Sequence, residues 1–176
     1  METKDKVIAV SYVLVGTLLQ YFIFIADVWQ LKIITLFGLI MMLIGLSRLK
    51  TNLDEPGNKG MGFLFNSAIL SIVAGLINFF PLTGILTGIL FIIAYIMQIM
   101  AFVSLKQSAV IGVNGINGAG LLLGASIGAG FVNFIDLFPM TGLIVSFFSI
   151  VILIVSVFGW LKIQEGLMEK TEEAES

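Results

Sequence analysis

The chain has 176 residues, 59% of them hydrophobic and only 11% charged, with a mean hydropathy of +1.11. A soluble domain spends about a quarter of its residues on charge, so this composition calls for a bilayer as solvent. The net charge of −2 gives no footing for a nucleic-acid partner, and the absence of Cys and His excludes disulfides, thiol nucleophiles, histidine-ligated haem and ordinary Cys/His zinc centres.

Crossing about 30 Å of hydrocarbon takes about 20 helical residues. The first apolar run, 7–26, follows Lys4 and Lys6. It is long for the apolar core of a signal peptide, and Phe24-Ile25-Ala26 makes a poor cleavage site, so it reads as a retained span. Asp27 to Lys32 leads into a second span, 31–48. TNLDEPGNKG at 51–60 is a polar loop in which Asp54 and Glu55, beside Pro56-Gly57, read as a solvated turn. Spans follow at 61–80 and 83–105, joined by FPLTG at 80–84. Proline just before a helix gives up only an N–H that would be unpaired anyway. The fifth span, 109–135, is divided from the sixth, 141–162, by Asp136 and FPMTG at 138–142.

The fold class is therefore all-α: a polytopic membrane protein of six transmembrane helices, in one domain over residues 1–162. In the tail, 163–176, LKIQEGLMEK continues as a short helix that rests Ile163, Leu167 and Met168 on the interface, and TEEAES is expected to be disordered.

Eight of the nine Lys and Arg residues fall on one side of these spans: Lys4, Lys6, Arg48, Lys50, Lys59, Lys106, Lys162 and Lys170, against Lys32 alone. Under the positive-inside rule both termini are cytoplasmic in the inner (plasma) membrane. The pieces also repeat. LINFFPLTGIL at 76–86 resembles NFIDLFPMTGLI at 133–144, and hairpins end at Arg48-Leu49-Lys50, Ser104-Leu105-Lys106 and Trp160-Leu161-Lys162. The basic ends are 56 residues apart and the Phe-Pro-x-Thr-Gly motifs 58 apart, so three consecutive helical hairpins are expected, with two residues absorbed in the last.

No Asp, Glu, Lys or Arg lies near the middle of any span, which argues against proton coupling and against a carboxylate-based enzyme. The neutral amides Gln20, Asn66, Gln98, Asn114 and Asn117 either line a cavity or bond across helix interfaces. Within GVNGINGAGLLLGASIGAG at 112–130, Gly120, Gly124 and Gly128 fall on one helical stripe and are expected to let a neighbouring helix approach closely. The glycines and asparagines of 112–118 weaken a helix and permit an unwound entry. There is no phosphate-binding motif, and no cofactor is expected. The partners expected are the lipid bilayer and either further copies of the chain or another membrane protein. The leading expectation is a small non-enzymatic membrane protein with a structural or assembly role. A passive channel for a neutral solute or ion comes second, and a lipid-modifying enzyme third.

Overall fold

The computed structural model describes residues 3–21, 29–50, 52–77, 84–135 and 142–175. Apart from the short connections 52–54 and 106–111 these form α-helices: α1 (Thr3–Tyr21), α2 (Trp29–Lys50), α3 (Glu55–Ile77), α4 (Gly84–Leu105), α5 (Gly112–Ile135) and α6 (Gly142–Glu175). Four of them, α3 to α6, are each long and apolar enough to cross a membrane, and the protein is a polytopic helical membrane protein. Asp27, Asp136 and all but the final glycines of the two Phe-Pro-x-Thr-Gly motifs lie outside the described residues.

Local chemistry moves three boundaries from those expected. The polar loop shrinks to residues 52–54, because Asp54 accepts a hydrogen bond from the Gly57 N–H (3.2 Å) and so caps α3, with Pro56 seated in the first turn. The fifth helix starts at Gly112 and runs without interruption, so 112–118 is not unwound. Gly112 takes φ +65°, and any Cβ there would meet the Gly166 carbonyl oxygen at 2.9 Å. The sixth helix continues for 34 residues to Glu175, with no break between span and tail. At 1.5 Å per residue it is about 51 Å long and stands clear of the hydrocarbon by about 20 Å. Ile163 and Leu167 belong to the core and do not rest on the interface, whereas Met168 is exposed.

Each helix packs most extensively on its neighbour in sequence: α1 on α2, α3 on α4, and α5 on α6. Smaller contacts join α2 to α3, α4 to α5, and α1 to α6, which closes the six helices into a ring. Lipid removes the hydrophobic drive between helices, so packing depends on close backbone approach. Glycines provide it at one level in each pair. A Cβ on Gly45 of α2 would meet Val13 Cγ2 at 2.7 Å. One on Gly60 of α3 would meet the Ala101 carbonyl oxygen at 2.8 Å, and one on Gly118 of α5 the Ile163 N at 2.9 Å.

The last two contacts fix the register between pairs. Gly60 sits against Ala101 and Leu105 as Gly118 sits against Gly159 and Ile163, and each residue of the first set lies 58 places before its counterpart in the second. From Glu55 to Ala74, every residue except Phe63 has the same burial class as the residue 58 places later. Ile163, not Leu161, thus stands where Leu105 stands. Leu105 and Ile163 are both 0% exposed, whereas Leu161 is 38% exposed. The expected two-residue adjustment within the last pair is therefore absent between these contacts.

The main core lies at the lysine- and arginine-rich end and draws on every helix. It includes Val13, Leu46, Met61, Phe102, Leu122, Trp160 and Ile163. Toward the other end burial thins: α4 is buried only at Thr87 between Gly84 and Ile93, and α6 has no fully buried residue before Ile152.

Candidate functional site

The most highly connected polar group is Asp54. Its Oδ1 accepts from the Ser108 hydroxyl in a short hydrogen bond as well as from Gly57, and its Oδ2 accepts from the Ala109 N–H at 2.8 Å. The carboxylate thereby caps α3 and ties it to the segment between α4 and α5. Ser108 is fully buried. Burial works to raise the Asp54 pKa, but the hydrogen bonds from Ser108, Ala109 and Gly57 outweigh it and hold the carboxyl below its ordinary 3.8. The solvated-turn reading of Asp54 is corrected: the side chain is a brace. Asp-Glu-Pro is a readable cap signature. Its partner 54 residues downstream is not readable.

The amides expected either to line a cavity or to bond across helix interfaces divide between α1, α3, α4 and α5. Asn114 on α5 donates to Glu169 Oε1 on α6, at the end where Lys162 and Glu165 also pair at 2.6 Å. Asn117, three residues along α5, is exposed, as is Asn66 on α3, and Gln98 on α4 is half-buried. Among the described residues no hydrogen bond links Asn66, Gln98 and Asn117. The Gln20 side chain lies outside those described. One hydrogen bond that joins neighbouring pairs within the bundle comes from Tyr95: its hydroxyl on α4 donates to the Ser126 carbonyl oxygen on α5 at 3.1 Å. The absent side chain of Gly130 leaves space for that ring.

The expected packing stripe is displaced. A Cβ on Gly120 or Gly124 would meet nothing within 4 Å, and one on Gly128 would make only ordinary contact, 3.6 Å from Ile152. The residues that come close are Gly112, Gly115 and Gly118, on another face of α5. Gly124 and Gly128 instead line an apolar groove of about 410 Å³ between α5 and α6, walled by Phe131 and Phe148. No polar side chain lines it.

The centre of the basic end is closed. Phe102 and Trp160 meet edge to face, with ring centroids 6.4 Å apart and an interplanar angle of 69°, in one cluster with Leu46 and Met61. Among the described residues two buried side-chain oxygens have no partner, Asn58 Oδ1 and Thr87 Oγ1, and they lie at opposite ends of the α3–α4 pair. Among the described residues no group of three or more acidic side chains could hold a metal ion. The arrangement lacks an obvious catalytic constellation and is that of a packed helical membrane bundle. No protein-family model, curated protein or solved structure matches the chain.

Proposed function

We propose that the protein is a small non-enzymatic integral membrane protein with a structural or assembly role. In this reading six spans form three helical hairpins of one repeating unit, and both termini face the cytoplasm from the inner membrane. The observation that carries it is the apolar seal of Leu46, Met61, Phe102 and Trp160, which fills the centre of the bundle at its basic end. Water has no polar lining to follow there, and a scaffold needs none. The repeat is supported by the shared 58-residue register of α3–α4 and α5–α6. It is also supported in α1–α2, where Ala9, Val13 and Gly45 make the contact that Gly118, Leu122 and Gly159 make in α5–α6. Residues 22–28, 78–83 and 136–141 enter as connections on sequence alone.

The test is a flux measurement in sealed liposomes with the purified protein. Proton-sensitive and small-solute dyes should report no transport above that of empty vesicles. A proton current abolished by neutralising Asp27 or Asp136 would place the protein among coupled transporters. Solute flux altered by Asn66→Leu or Asn117→Leu would make it a channel.

A further inference from the structure

The outward face of α3 carries a seam that the described residues leave largely open, with the Lys50 side chain lying near Gly62. Its exposed and half-buried positions Glu55, Lys59, Gly62, Asn66, Ile69, Val73 and Leu76 are spaced alternately by four and three residues. This is the heptad spacing that lets two helices run side by side. The buried positions Gly60, Leu64, Ser67 and Ala74 lie about half a turn away, against the bundle. The seam therefore faces lipid.

Asn66 is the anomaly on that seam. It lies in the apolar stretch, about 10 Å inward of Lys59 along the helix. Its side chain is exposed and makes no hydrogen bond with any described residue. Hydrocarbon offers an amide neither donor nor acceptor. The corresponding exposed positions are Val15 on α1 and Gly124 on α5, so the amide occurs on one of the three related faces.

We infer that this seam binds a second copy of the chain, in parallel, with the two Asn66 side chains paired across a two-fold axis. An amide donates and accepts, so it is its own complement. In the heptad it occupies the position at which a single Asn fixes register and favours two strands, with β-branched Val73 one heptad on. Gly62 adds no side chain to the seam, and the flexible end of Lys50, 3.6 Å from where a Gly62 Cβ would stand, can swing aside. Glu55 and Lys59 form no ion pair within the described chain; a parallel two-fold pair sets Lys59 opposite Lys59 and Glu55 opposite Glu55, and each Lys59 also lies one turn from the second copy's Glu55, with which it can pair. A face used once per chain yields a closed dimer, not a filament. The inference rests on α3 as a membrane span and not on the scaffold role. A transporting dimer would leave it intact.

The chain has no cysteine, so a single one can report the contact. Val73→Cys in proteoliposomes, with Asn66 intact, should give a disulfide-linked dimer on mild oxidation. Ile127→Cys, equally exposed on α5, should show only collisional cross-linking. Adding Asn66→Leu to Val73→Cys should weaken dimerisation about 3- to 10-fold in a lipid-dilution series and leave the thermal unfolding of the diluted monomer unchanged. Equal cross-linking at Val73→Cys and Ile127→Cys would overturn the inference, as would a dimer indifferent to Asn66→Leu. Should the double variant fail to fold, the comparison of Val73→Cys with Ile127→Cys decides alone. A purified protein that is monomeric at every dilution, while Val73→Cys in native membranes traps a different protein, would also overturn it.

Discussion

Glycine has two distinct uses in this chain, and substitution separates them. At Gly118 a side chain would be driven into the backbone of α6, with the Ile163 N at 2.9 Å. Gly118→Ala should therefore lower the thermal unfolding temperature in detergent, at an overpacking cost of about 1–3 kcal/mol. At Gly124 the same change meets open space and improves helix propensity by up to about 1 kcal/mol. Gly124→Ala should be neutral or stabilising, and a loss comparable to that at Gly118 would mean that α5 packs on the other stripe. The four-residue spacing of Gly120, Gly124 and Gly128 was visible in the sequence, but spacing alone does not say which of two glycine-rich faces meets a helix. Asp54 makes a second residue-scale case. Its carboxyl is held below its ordinary range, so its stabilisation is present above about pH 4 and is lost as pH falls through the folded-state value. Asp54→Ala should cost about 0.5–2 kcal/mol at neutral pH through the lost cap, with the gap to wild type narrowing in melts taken toward pH 3. A gap that is constant with pH would show that the charged form carries none of the effect.

Among the elements, α6 departs furthest from what composition suggested. Hydropathy ends its span near Lys162, and the polar residues beyond read as a tail. Yet Ile163 and Leu167, four residues apart, keep the buried stripe of the helix running past the hydrocarbon and onto Ile111 and the start of α5. Leu167→Ala should accordingly cost about 2–5 kcal/mol, whereas Met168→Ala, on the exposed side, should leave the unfolding temperature within error. Equal effects would mean that the extension is not docked. The other helix positions were readable because long apolar runs broken by Pro, Gly and charge leave little choice. The brace on the start of α3 and the start of α5 were not, since each depends on a contact from a distant part of the chain: Ser108 to Asp54, and Gly166 against Gly112.

At the scale of the whole molecule, the charge asymmetry from which the orientation is proposed and the core that holds the chain lie at the same end. Cysteines placed at Glu55 and Leu137 should react with an impermeant thiol reagent in intact cells only at Leu137. Labelling at Glu55 alone would invert the topology. This expectation rests on the lysines and arginines, which are read from the sequence alone. The sequence could not carry the ring closure, which depends on α1 meeting α6.

That closure sets a timetable. About 120 residues separate the end of α1 from the start of α6, or about 6–24 s of synthesis at about 5–20 residues per second. Through that interval the nascent α1 has α2 on one flank and no partner on the other. That second flank waits beside whatever the insertion machinery or the surrounding lipid supplies. A ribosome that stalls after α5 therefore releases a chain whose first helix is as incomplete as its last, and a quality-control protease would find both edges of the gap open.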